Sequence, residues 1–134
     1  MNSPALATQV VTIQAGTTIF IPSGPSGDHL FVTVFDIKII NGKQKVLLAP
    51  FESWFSKGDP SCILDVGDHT FIKHKTFVGY SNCRIYDVVD LVQCINAGTF
   101  RIGDSASIEL TDKIRTTYIG AKRVKRFIRD DWGE

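Results

Sequence analysis

The sequence predicts an α+β protein, mainly β, in which a small barrel is packed by one or two C-terminal helices. Two observations carry that expectation. Six or so short runs rich in β-branched and aromatic residues, separated by turn residues, occupy the chain up to about position 100. After Gly103-Asp104 the period changes, and Leu110, Ile114 and Tyr118 recur every four residues, the spacing of a helix face. Strands followed by helices is the α+β order. At 134 residues the chain reads as one domain (1–134), with a loose tail at 1–7, a barrel over 8–100 and helices over 104–130.

The elements follow in order. Thr8–Ile13 and Thr17–Ile21 are short β-branched runs parted by Ala15-Gly16. Pro22–Asp28 (PSGPSGD) is a tight loop, because proline fixes φ and glycine admits positive φ. His29–Ile40 is apolar on both faces and predicts one long central strand. Asn41-Gly42 marks a two-residue hairpin. Val46–Leu48 is its return strand, ended by Pro50, and Phe51–Pro60 is a longer loop carrying Phe51, Trp54 and Phe55. Cys62–Leu64, Thr70–Ile72, Phe77–Tyr80 and Arg84–Val89 read as further strands, Leu91–Ile95 is ambiguous, and Gly98 stops it. Ser107 or Asp104 caps the first helix and Gly120 ends it. A second, short helix places Val124, Phe127 and Ile128 on one face, with basic residues around the rest.

Composition narrows the function. Hydrophobic residues at 43% and charged residues at 22% describe a globular protein rather than a disordered one. The net charge of +1 gives no global field for nucleic acid, so a polyanion must meet a local patch. No Lys or Arg precedes Lys38, whereas Lys113 to Arg129 holds seven. Three cysteines without a CxxC pair argue against a disulfide framework and for the cytoplasm. No signal peptide and no membrane span of about 18 apolar residues is read, so no membrane partner is expected.

Chemistry concentrates between Asp59 and Arg84. His69, Lys73, His74, Lys75 and Thr76 crowd into eight residues, offering proton carriers, positive charge and a hydroxyl. Lys73 and Lys75 suit either a phosphate or the guarding of a sheet edge. Flanked by these lysines, His74 is kept neutral by their field and can act as a base. His69 suits hydrogen bonding within the Gly67-Asp68 turn as well as a binding role. Ser53 and Thr76 are hydroxyl donors to a ligand or to their own turns. Trp54 and Phe55 serve as core cover or as platforms for bases. Cys62, His69, His74 and Cys83 have the spacing C-x6-H-x4-H-x8-C, which matches no zinc pattern, so neither a metal nor another cofactor is expected.

The run Asp59-Pro60-Ser61-Cys62-Ile63-Leu64, then Gly67-Asp68-His69, then Phe71 to Tyr80 (FIKHKTFVGY) resembles a motif of the small PemK/MazF-like toxins of bacterial type II toxin–antitoxin systems. The resemblance extends in order over roughly residues 17–130, with about 25 positions specific. It implies an SH3-like barrel, often dimeric, that cleaves single-stranded RNA without metal and is silenced by an antitoxin. On that reading His29, His74 and Thr76 are catalytic, while Ser53, Trp54, His69, Lys73 and Lys75 contact substrate. His74 and Thr76 match the motif. His29 stands in for a basic residue that the family's first loop carries and Pro22–Asp28 lacks. That gap supports a rival reading, a non-catalytic SH3-like module binding a protein or nucleic acid.

Overall fold

A computed structural model describes residues 11–133. Its strands are β1 (Thr18–Pro22), β2 (Asp28–Thr33), β3 (Lys38–Ile40), β4 (Lys43–Ser53), β5 (Ile63–Leu64), β6 (Thr76–Val78), β7 (Arg84–Asp87) and β8 (Arg101–Ile102). The helices are α1 (Val88–Asn96), α2 (Ile108–Gly120) and α3 (Arg126–Asp131). The architecture is α+β, mainly β, as the order of patterns predicts. No helix among the described residues is long and apolar enough to cross a membrane.

The sheet is antiparallel, in the order β5-β6-β4-β2-β1-β8, with β3 and β7 also paired to β4. Strand β4 is the spine. Lys43–Lys45 pair with β3, Lys45–Leu48 with β7, Leu48–Pro50 with β2, and Phe51–Ser53 with β6. Its six residues Val46–Phe51 are all buried, which explains a run apolar on both faces. On one face Leu30, Val32, Leu47 and Ala49 pack with Leu110, Ile114, Tyr118 and Ile128 of the last two helices and with Trp132 just past α3. On the other, Phe31, Val46 and Leu48 pack with Leu91 and Ile95 of α1.

Several expectations need correction. The sheet is not closed into a barrel: β5 and β8 are free ends, each two residues long. Side chains bridge the seam instead. His69 Nε2 donates to the carbonyl of Asp104 at 2.7 Å, and Thr70 Oγ1 donates to its carboxylate at 2.7 Å. The long central strand is two, because the chain leaves the sheet at Val34–Ile37, where Asp36 Oδ1 accepts the Ala15 N–H at 2.9 Å. Pro50 does not end β4. Its carbonyl accepts the Gly79 N–H at 2.8 Å, and it sits where the strand passes from β2 to β6, a place where no N–H is required. Thr70–Ile72 forms turns rather than a strand. Leu91–Ile95 lies inside α1, so the span to position 100 is not all β, and β8 falls beyond it.

Positions 8–10 of the expected Thr8–Ile13 strand, and the tail 1–7, lie outside the described residues; 11–13 form no strand. Asn41 (φ 53°) and Gly42 (φ 79°) make the expected hairpin turn, with positive φ at both positions. Ser107 caps α2, its hydroxyl accepting the Leu110 N–H at 3.0 Å. In α3 the apolar face is narrower than expected: Ile128 is buried, Val124 precedes the helix, and Phe127 is 61% exposed. Arg129 folds back over α2, donating to the carbonyls of Tyr118 and Ala121 with its guanidinium 4.8 Å from the Tyr118 ring. A cation at the carbonyl end of a helix also complements its dipole.

Candidate functional site

Where β4 crosses from β2 to β6, its last residues form the floor of an open groove of about 900 Å3. His29 enters from the start of β2, and Phe71, Ile72, Lys73 and His74 line it from the loop before β6. Asn82 closes the 3-10 turn Tyr80–Asn82, Cys83 and Arg84 follow it, and Lys125 comes from the segment before α3. Five of the residues singled out from the sequence line this one groove: His29, Ser53, Lys73, His74 and Thr76.

His74 is held by Ser53, with Nε2 and Oγ 2.8 Å apart. That pairing follows from register, since Ser53 lies opposite Thr76 in the β4–β6 ladder and His74 is two residues earlier. Thr76 turns its hydroxyl to its own chain, donating to the His74 carbonyl at 2.8 Å, and so fixes the backbone that carries the imidazole. At His29, Nδ1 is buried and has no hydrogen-bond partner among the described residues.

Positive charge surrounds these groups. Lys73, Arg84 and Lys125 line the groove, and none of the three is in a salt bridge among the described residues. Glu52 is the one carboxylate on its wall among the described residues. The Arg84 guanidinium lies 4.7 Å from the centre of the Phe31 ring, a cation–π contact that orients it. Phe71, 40% exposed, packs edge-on against Phe20 at 5.7 Å and presents an aromatic surface beside Lys73.

Three residues expected to contact substrate sit elsewhere. His69 is buried at the seam with both ring nitrogens engaged, Nε2 donating to Asp104 and Nδ1 accepting the Phe71 N–H at 3.0 Å. Its role is to hold the loop that carries Phe71 to His74. His69→Ala is expected to lower stability by about 1–3 kcal/mol, the cost of orphaning those two partners. A denaturant titration of the variant checks this, and a loss below about 0.5 kcal/mol would refute the seam role. Trp54 covers Phe77 edge-on at 5.7 Å, and Lys75 lies over the Trp54 ring at 4.8 Å, so the two satisfy one another beside the groove rather than within it. A Cβ at Gly58 would come 3.0 Å from the same indole, which is why that loop packs so closely.

Cysteine chemistry has no place here. Burial pushes the Cys83 thiol up to about 12 and raises that of Cys62, and both side chains are buried. Among the described residues no group of three His, Cys, Asp or Glu side chains is arranged to hold a metal ion. Glu52 and Asn82 escaped the sequence reading, since neither belongs to the motif or to a basic run. Arg84 and Lys125 carried only a signal of charge, Arg84 closing the cluster and Lys125 lying in the basic run from Lys113 to Arg129.

No protein-family model matches this chain, and no curated protein sequence matches it.

Proposed function

We propose that this protein is a metal-independent endoribonuclease of the PemK/MazF-like kind, acting on single-stranded RNA, and that its open, β4-centred sheet is a variant of their SH3-like barrel. The observation that carries the reading is an imidazole braced by a hydroxyl in a groove with three cations that form no salt bridge among the described residues. Metal-free RNA cleavage needs proton carriers and a site for the charge that grows on phosphorus. The 2′-oxygen loses its proton and attacks the adjacent phosphorus; the P–O5′ bond breaks and the 5′-oxygen takes up a proton, leaving a 2′,3′-cyclic phosphate. His74, with Nε2 held by Ser53, is one proton carrier, and Nδ1 is its exchanging nitrogen. Lys73, Arg84, Lys125 and His29 stabilise the phosphorane, while Phe71 offers a base a stacking surface. An antitoxin would silence such a site by laying an acidic segment across the same cations.

The absence of a basic residue in Pro22–Asp28 favours a second reading, a binding module without catalysis. One experiment separates the two. Purified protein is incubated with single-stranded RNA in a chelator, and the fragment ends are analysed. Fragments ending in cyclic phosphate are expected. RNA that is bound but stays intact at every concentration would assign the groove to binding alone.

A further inference from the structure

We infer that Glu52 is the general base of the groove, and that Gly79 is the position that makes room for it. The inference rests on the ribonuclease reading and supplies the second proton carrier that such a reaction requires. Glu52 Oε2 accepts the Asn82 Nδ2–H at 2.8 Å, which fixes the carboxylate, and Oε1 is the oxygen that takes the proton. Glu52 and Ser53 are consecutive on β4, opposite Phe77 and Thr76 of β6. The carboxylate is carried by β4, the imidazole from the loop before β6 is braced by the next residue of that strand, Ser53, and both groups line the same groove.

Gly79 is the independent sign that this carboxylate has a defined place. Its φ of −84° is open to any residue, so backbone freedom does not explain a glycine there. Space does. A Cβ at position 79 would stand 1.9 Å from Glu52 Oε2 and 2.6 Å from its Cδ. Any larger residue would push the carboxylate off Asn82, while the Gly79 N–H could still reach the Pro50 carbonyl.

In the proposed step Glu52, and not His74 as expected from the sequence, removes the 2′-OH proton as the 2′-oxygen bonds to phosphorus. Protonated His74 gives its proton to the 5′-oxygen as the P–O5′ bond breaks. Both groups end in the opposite protonation state and exchange protons with water to reset. A carboxylate in an anion site repels the substrate, and the flanking cations offset that repulsion. Removing its charge should therefore slow chemistry without weakening binding.

The test compares wild type, Glu52→Gln and Gly79→Ala in single-turnover cleavage, with binding to a 2′-deoxy oligonucleotide of the same sequence measured in parallel. Glutamine keeps the acceptor for Asn82 but cannot take the proton. Its expected rate is about 100- to 1,000-fold lower, with unchanged or tighter binding and loss of the acid limb of the pH–rate profile. Gly79→Ala, which keeps Glu52 but displaces it, should lose rate similarly and retain binding. Glu52→Gln cleaving at the wild-type rate, or losing binding in proportion to rate, overturns the assignment. Should Glu52→Gln fail to fold, Gly79→Ala decides: wild-type cleavage by that variant overturns it too. A wild-type protein that never cleaves defeats the ribonuclease reading and the base together, whereas an active Glu52→Gln defeats the base alone.

Discussion

His74→Ala should slow RNA cleavage by about 100- to 10,000-fold, the usual contribution of a positioned proton carrier. The imidazole is exposed, and its one side-chain bond among the described residues is to Ser53, so its removal leaves no buried group there orphaned. Thermal stability should therefore stay within about 0.5 kcal/mol of wild type, as for other surface substitutions. Ser53→Ala removes the brace and keeps the ring, so a smaller loss is expected, in rate rather than in RNA binding. The measurement is the single-turnover rate at saturating RNA. Full cleavage by folded His74→Ala would remove the centre of the mechanism, while loss of RNA binding with no change in rate would make His74 a phosphate contact.

The largest effect on stability is expected from Trp132→Ala, at about 3–5 kcal/mol, the range for deleting a large aromatic from a core. Trp132 is 2% exposed although it lies two residues from the end of the sequence. Its ring stacks on Phe35 with centroids 6.1 Å apart and planes 17° from parallel, and the Lys38 ammonium lies 5.6 Å above it. Its carbonyl accepts the Tyr118 hydroxyl at 2.6 Å, a buried bond joining the end of α3 to α2. Burial also raises the Tyr118 phenol to about 12, so this donor keeps its proton throughout the neutral range. The indole N–H is buried without a partner among the described residues. Trp132→Phe, which deletes that orphan along with some packing, should cost far less than alanine. Urea titrations of both variants supply the comparison. Equal losses, or an alanine cost under about 1 kcal/mol, would show that the C-terminal segment does not anchor the core.

The class of fold was legible because its signals are local. A hairpin at Asn41-Gly42, a cap at Ser107 and a four-residue repeat in α2 each depend on a few neighbouring residues. What escaped depends on partners far along the chain. Pro50 reads as a strand terminator until Gly79 is found donating to its carbonyl. Leu91–Ile95 is apolar enough for either strand or helix, and the choice is made by packing of Leu91 and Ile95 against Phe31 and Leu48. Phe127 and Ile128 are equally apolar in sequence, and only the position of the core separates the exposed one from the buried one. In the groove, Lys73 and His74 fall within the motif and Ser53 in the stretch before it, and the β4–β6 register brings those two stretches together. Glu52, Arg84 and Lys125 converge from three elements, and that convergence is a property of topology rather than of any window of sequence. His69 and Trp54 were misplaced for the converse reason: a histidine or tryptophan close to a site in sequence can spend its contacts on the scaffold.

The strand that serves as the spine imposes a condition on the reaction itself. Glu52 and Ser53 terminate an eleven-residue segment whose middle is wholly enclosed and held in four ladders, and both are themselves paired with β6. Thermal motion at the floor should be small, and hydrogen–deuterium exchange there should await global opening. Turnover would then be governed by how the polynucleotide bends to meet a rigid die, with discrimination among nucleotides arising from the cost of that bending.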